Sequence, residues 1–198
     1  MTAVAHLEEL VRRAPRAIVI GGSAGSVELL RKLTPALAPD LGVPVLTVLH
    51  VAPSSQADWA RVFHESTLPV REVEDNDIAE PACLYLAPPD YHMLVDASLN
   101  LSLSVEEPVN LARPSIDVLF ESAAWAFGPR LLGIVLSGAN ADGAAGLAAI
   151  SRAGGLAWVQ SPESALANRM PRAALAAAPE AHVLTIPQMM EVLHDFHA

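Results

Sequence analysis

A serine, a histidine and an aspartate each follow a strand-like apolar run in this chain. Ala17-Ile18-Val19-Ile20-Gly21-Gly22 leads into Ser23, and Val43-Pro44-Val45-Leu46-Thr47-Val48-Leu49 leads into His50. Leu131-Leu132-Gly133-Ile134-Val135-Leu136-Ser137-Gly138 is followed by Ala139-Asn140-Ala141-Asp142. A serine hydroxyl is a weak nucleophile at neutral pH. It needs a general base within hydrogen-bond reach, and that base needs an orienting acid. The three residue types are the parts of a nucleophilic hydrolase, provided that the fold brings them together. An open parallel α/β sheet does so, because its active sites form at the carboxyl ends of the strands.

Each residue also has a plainer reading. Ser23 sits in Gly21-Gly22-Ser23-Ala24-Gly25, where a helix N-cap in a glycine turn would also be a serine. That turn lacks both the G-x-G-x-x-G spacing and the lysine of a phosphate loop, and the next strand ends in His50 where a ribose-binding acid is expected. His50 could instead be a strand-end histidine with a backbone partner, and His92 is the rival base. Asp142 could be the N-cap of a helix beginning at Gly143, and held by cap N–H groups it would stay ionised and rigid. Asp117 is the rival acid, but its place in a first helical turn is explained by the helix dipole alone. The small residues Ala24 and Ala139 leave backbone N–H groups accessible for an oxyanion.

The elements that must position these residues alternate in type. Helical spacing follows the first strand over Gly25–Leu37, with Pro35 ending the helix early, and follows His50 over Ser54–Ser66, with Ser54 or Ser55 as cap. Val70–Val73, Cys83–Ala87, His92–Val95 and Leu99–Val105 are short strand-like pieces, read as antiparallel, with a hairpin at Ala97-Ser98. Pro114 opens a helix running to about Phe127. Helices are also expected at Gly143–Ala153, Pro171–Ala177 and Gln188–Phe196, and strands at Leu156–Gln160 and Val183–Ile186. The expected fold is α/β: a doubly wound, mainly parallel sheet with helices on both faces and an antiparallel edge or hairpin. Residues 1–15 read as a lead-in segment and 16–198 as the catalytic domain.

Composition narrows the classes. The 198 residues are 52% hydrophobic and 17% charged, a globular balance. A formal charge of -10 makes nucleic acid a poor partner. No apolar run approaches the roughly 18 residues of a membrane span, and the N-terminus lacks the pattern of a signal peptide. The single cysteine, Cys83, excludes an internal disulfide, reads as a buried inert thiol, and suits a cytoplasmic location. Metal-ligand spacing is absent from the sequence, and no cofactor is expected.

Six segments in order resemble the catalytic domain of the bacterial chemotaxis CheB-type receptor-glutamate methylesterases. They are Ile20–Gly25, Leu49–Pro53, Tyr85–Met93, Arg113–Phe120, Leu136–Gly146 and Met170–Ala174. The resemblance implies a doubly wound sheet and a Ser-His-Asp triad with Ser23 as nucleophile, His50 as general base and then acid, and Asp142 as orienting carboxylate. It implies hydrolysis of γ-glutamyl methyl esters on the cytoplasmic helices of chemoreceptors, with deamidation of receptor glutamines as a related activity. A divergent serine esterase of the same fold, or a binding module, is the alternative. The pattern departs from the family's usual one at Ala24, Ser26, Leu49, Ala139-Asn140-Ala141 and Arg169. About 16 residues precede the first strand, too few for the phospho-receiver domain that the family often carries. Loops at Ala52–Gln56, Asn140-Ala141 and Ala167–Pro171 are expected to rim an open cleft, with Met170 as an apolar contact and Arg169 facing acidic flanks of a receptor helix.

Overall fold

The apolar runs noted above become the central strands. In the computed structural model, which describes residues 2–51 and 58–197, the order is α1 (Ala3–Arg13), β1 (Ala17–Gly22), α2 (Ser26–Leu33), β2 (Val45–Leu49), α3 (Trp59–Val62), β3 (Val70–Glu72) and β4 (Leu84–Leu86). It continues with β5 (His92–Val95), β6 (Leu101–Ser104), α4 (Ile116–Phe127), β7 (Leu131–Val135), α5 (Ala144–Arg152), β8 (Leu156–Gln160), α6 (Arg169–Ala177), β9 (His182–Leu184) and α7 (Ile186–His194). Seven strands form one parallel sheet in the order β3-β4-β2-β1-β7-β8-β9.

The chain runs outward from β1 through β2 on one side, then returns to β7 and runs outward through β8 and β9 on the other. The carboxyl ends of β1 and β7 therefore flank the topological switch point, the usual place for a site in such a sheet. Every residue of β1, β2, β7 and β8 is buried, as expected where helices cover both faces. Ile18, Ile20, Val45 and Trp158 face a core closed by Leu10 of α1, Leu30 and Leu33 of α2, Trp59 of α3 and Met189 of α7. Val19, Leu46, Val48 and Val135 face the other, closed by α4, α5, α6 and the β5–β6 hairpin.

Two expectations change. Val70–Glu72 and Leu84–Leu86 pair in parallel with each other, and β4 pairs in parallel with β2. The chain between them crosses over without a helix, tied to the hairpin by Asn76 N–H on Leu101 O and Ala79 N–H on Leu99 O; short apolar runs carry no sign of strand direction. The antiparallel material is the separate β5–β6 pair. Pro114 also stands one residue before the N-cap Ser115, outside α4. Pro35 does end α2, which passes into a single 3₁₀ turn at Thr34–Ala36. The expected caps Ser54 and Ser55 lie outside the described residues; α3 is capped by Asp58, which accepts the Arg61 N–H at 3.1 Å.

Close backbone approach sets the site. A Cβ on Gly21 would fall 2.3 Å from Ile116 Cγ2, and one on Gly143 would fall 2.8 Å from the same atom. Gly143 also has φ +88°, a left-handed conformation that disfavours other residues. Ile116 thus wedges the first turn of α4 between the end of β1 and the loop after β7.

Candidate active site

The Ser23 turn is fixed through its backbone. Ser23 N–H donates to Ser137 O at 2.9 Å, and the Ser23 carbonyl accepts the Ser26 N–H. Ser137 O also accepts the buried Ser26 hydroxyl at 2.6 Å. Ser137 in turn donates its N–H to Gln160 Oε1 at 2.8 Å and its hydroxyl to Ala24 O at 2.7 Å. The loops after β1, β7 and β8 are therefore one hydrogen-bonded unit. The next strand brings His50 alongside, its N–H donating to Gly22 O at 3.1 Å.

His50 Nε2 lies 2.8 Å from Asp142 Oδ2. An ionised carboxylate only accepts, so Nε2 carries the proton and Nδ1 presents a lone pair. The Asn140 amide nitrogen stands 3.5 Å from Nδ1. Nδ1 accepts from that amide, and among the described residues the Ser23 hydroxyl makes no hydrogen bond to His50. A pocket of about 180 Å³ opens beside it, lined by His50, Val51, Leu111, Ala112, Pro114 and Asn140 among others. A larger cavity of about 450 Å³, bounded by Arg16, Val43 and Pro44, lies at the opposite, amino edge of the sheet.

Asp142 is fully buried. Its Oδ2 accepts the Ile116 N–H at 2.7 Å; its Oδ1 accepts the Ser115 hydroxyl at 2.8 Å, the Asn110 amide at 2.9 Å and the Asp117 N–H at 3.2 Å. The cap expectation is corrected in its target. Gly143, not Asp142, is the N-cap of α5, and Asp142 caps α4 across the sheet edge because Ile116 packs against Gly21 and Gly143. Burial is the largest influence and opposes the charge. The bonds from His50, Asn110, Ile116 and Ser115 outweigh it and hold the carboxyl below its ordinary range.

Asp117 is also buried. It accepts the Gly146 N–H at 2.7 Å and an Asn110 N–H at 2.7 Å. Burial, joined by the charge of Asp142, pushes its carboxyl up. The rival base His92 is only 2% exposed. Its Nδ1 accepts the Ser115 N–H at 3.1 Å and its Nε2 contacts Glu107 O at 3.2 Å, so both nitrogens are engaged away from Ser23.

Ala24 and Ala139 are exposed, and among the described residues neither N–H donates to a backbone carbonyl. Arg169 is exposed at the start of α6. Met170 is corrected: it is 0% exposed, and a Cβ on Gly138 would fall 2.5 Å from its Sδ and Cε. It fills the space beneath the Gly138 turn and is closed off from the surface. Of the expected rim, Ala52–Gln56 lies outside the described residues. Asn110 and Ser115 escaped the sequence reading, the first in an aperiodic loop, the second behind a role as helix cap. Cys83 is buried, which pushes its thiol up, in keeping with an inert side chain.

The chain matches the family model for CheB methylesterase over residues 18–193. It is 39% identical over 177 residues to a putative protein-glutamate methylesterase/protein-glutamine glutaminase of Leptospira interrogans, covering 89% of this chain and 92% of the relative. A protein-glutamate methylesterase/protein-glutamine glutaminase of Symbiobacterium thermophilum is 34% identical over 183 residues, and there the match covers 91% of this chain but 51% of the relative. The crystal structure of the Thermotoga maritima CheB methylesterase catalytic domain superposes with TM-score 0.85 at 26% identity, over 91% of this chain and 98% of that one.

Proposed function

The chain belongs to the CheB methylesterase family, and from that premise we propose that it is a serine hydrolase that demethylates γ-glutamyl methyl esters on the cytoplasmic helices of chemoreceptors, with deamidation of receptor glutamines as a second activity. Ser23 is the nucleophile, His50 the general base and then acid, and Asp142 the carboxylate that orients it. The reading places the enzyme in the cytoplasm, in chemotactic signalling, without nucleic acid, cofactor or membrane insertion.

The observation that carries this reading is the 2.8 Å contact of His50 Nε2 with a buried, multiply bonded Asp142. It leaves Nδ1 free of the carboxylate to serve as base, and the bond from His50 N–H to Gly22 O sets His50 next to the residue before Ser23. In the first half-reaction Ser23 Oγ attacks the ester carbonyl while its proton passes to Nδ1. The oxyanion is met by the N–H groups of Ala24 and Ala139. Collapse expels the methoxy group, which takes the proton from His50 and leaves as methanol. Water, deprotonated by His50, then attacks the acyl-enzyme, and collapse returns that proton from His50 to the Ser23 oxygen as the glutamate is released. The buried carboxylate stabilises the imidazolium formed in each half without becoming protonated.

Methanol release from methylated receptor, comparing the protein with Ser23→Ala, tests this. Turnover abolished in the variant is expected. Methanol release that survives the substitution, or a parent protein inactive on receptor yet active on small esters, overturns the assignment.

A further inference from the structure

Leu111 is a leucine with its side chain fully exposed and a left-handed backbone, φ 61°. Either feature alone is disfavoured for an aliphatic residue, which loses backbone freedom of choice at positive φ and gains nothing from water. Asn110 before it is also left-handed, φ 52°. The two form a tight turn closed by Val109 N–H on Ala112 O at 3.1 Å and Ala112 N–H on Val109 O at 2.9 Å. The inner half of the turn holds the Asp142–Asp117 pair through Asn110. The outer half holds Leu111 over the pocket that contains His50.

The pocket has the size of a side chain, not of a folded partner: about 180 Å³. Whatever bears the scissile group must lie outside it, across its mouth. The mouth is apolar where Val51, Leu111, Ala112 and Pro114 line it. Its cation, Arg113, is committed to Asp90 at 2.8 Å and to the carbonyls of Val105 and Glu106 at 2.8 and 3.0 Å. His50 and Asn140 complete the lining, so the mouth has an apolar side, where Leu111 stands, and a polar one. A second leucine, Leu166, is 83% exposed and lies against Gly25, two residues after Ser23.

We propose that Leu111 is a specificity-determining residue that grips the segment bearing the ester. The inference rests on the methylesterase reading, and its occupant is the receptor helix. On a helix, residues three and four positions from the esterified glutamate lie on the same face. Leu111 packs against apolar side chains at those positions once the ester enters the pocket. The left-handed turn keeps it projected, so the grip is preformed.

The test uses the full chain as Leu111→Gly and Leu111→Met, with methylated receptor and p-nitrophenyl acetate as substrates. Glycine tolerates φ 61° and preserves the turn, so thermal unfolding should not fall. kcat/KM on receptor should drop about 3- to 10-fold further than on the small ester, mostly through KM, as expected for removing a half-buried leucine. Methionine should restore most of the loss. Equal effects on the two substrates, or none on receptor, overturn the proposal while leaving the methylesterase reading intact. A parent protein that releases no methanol from receptor overturns the reading, and the proposal with it.

Discussion

Asp142 caps a helix that lies 26 positions earlier in the chain, its Oδ2 accepting the Ile116 N–H at 2.7 Å. The same oxygen faces His50 Nε2 at 2.8 Å. The positive end of the α4 dipole and the His50 ring therefore share one anion. A carboxylate at a helix N-terminus is stabilised by the free N–H groups there, which is how a fully buried charge can persist next to a histidine. On the proposed mechanism, stability and catalysis are coupled through this residue.

Asp142→Asn should therefore fail on both counts. The amide keeps one acceptor, and its NH₂ faces either Ile116 N–H and His50 Nε2–H together at the Oδ2 position, or the Ser115, Asn110 and Asp117 donors at the Oδ1 position. Turnover should fall roughly 10,000-fold, as expected when the histidine is left in the wrong tautomer. Loss of the helix cap should cost about 1 kcal/mol on top. Kinetics and urea unfolding on one preparation check the pair. A variant that loses activity with unchanged stability would mean that the cap contributes nothing.

The two buried carboxylates should titrate with opposite consequences. Asp142 is held below its ordinary range in the folded protein. Its contribution to stability is fully present above the unfolded value of about 3.9 and is lost as pH falls through the lower folded value. Asp117 is pushed up, so its ionisation weakens the fold as pH rises from about 3.9 towards its folded value. Urea unfolding across the acid range should show parent and Asp142→Asn converging at the lowest pH. Asp117→Asn should gain on the parent as pH rises above about 4. Parallel curves in either comparison contradict the corresponding shift.

On the proposed mechanism, Asn110 is a positioning residue that acts through Asp142. One amide donates to both carboxylates, at 2.7 Å to Asp117 and 2.9 Å to Asp142. Asn110→Asp keeps the shape and the tolerance for φ 52° but removes both donors and faces two acceptors with a third. Asn110→Gly keeps the turn and removes only the side chain. The aspartate variant should be the worse of the two in kcat, with KM for a small ester little changed. The glycine variant should lose about 10-fold in kcat, the equivalent of one hydrogen bond to a charged group. If both match the parent, Asp142 is held adequately by Ser115, Ile116 and Asp117 alone.

Much of this site is legible from local pattern, and the remainder depends on contacts between distant segments. Ser23 and His50 each end an apolar run, and adjacent parallel strands deliver such ends to one edge. Asp142 reads as a cap for the helix that follows it, because local sequence offers no sign that Ile116 will wedge between Gly21 and Gly143. Asn110 lies in a loop without periodicity, so nothing in its neighbourhood marks it. Met170 reads as a rim residue because it stands in the segment Ala167–Pro171, expected as a loop following a strand. Helix α6 instead begins at Arg169, and its first turn buries the methionine under Gly138. The parallel setting of β3 and β4 is hidden for the same reason, since three-residue strands show burial but not direction.

Gln160 is the last member of this supporting layer. It ends β8, is fully buried, and accepts the Ser137 N–H at 2.8 Å while its own amide donates to Ser164 O at 3.3 Å. Ser137 O is the acceptor for the Ser23 N–H, so Gln160 braces the Ser23 turn from one strand away. Gln160→Leu fills similar space, excludes water and leaves the Ser137 N–H buried without a partner, a cost of about 1–3 kcal/mol. The displaced turn should carry Ser23 out of register with His50 Nδ1, and misplacement of this kind can cost about 100-fold in rate. Labelling by a serine-directed fluorophosphonate, timed on folded protein, reads that displacement without needing the receptor. Slower labelling with unchanged His50 environment in NMR is the expected outcome. Labelling at the parent rate would show that Ser26 and the β1 strand hold the serine by themselves.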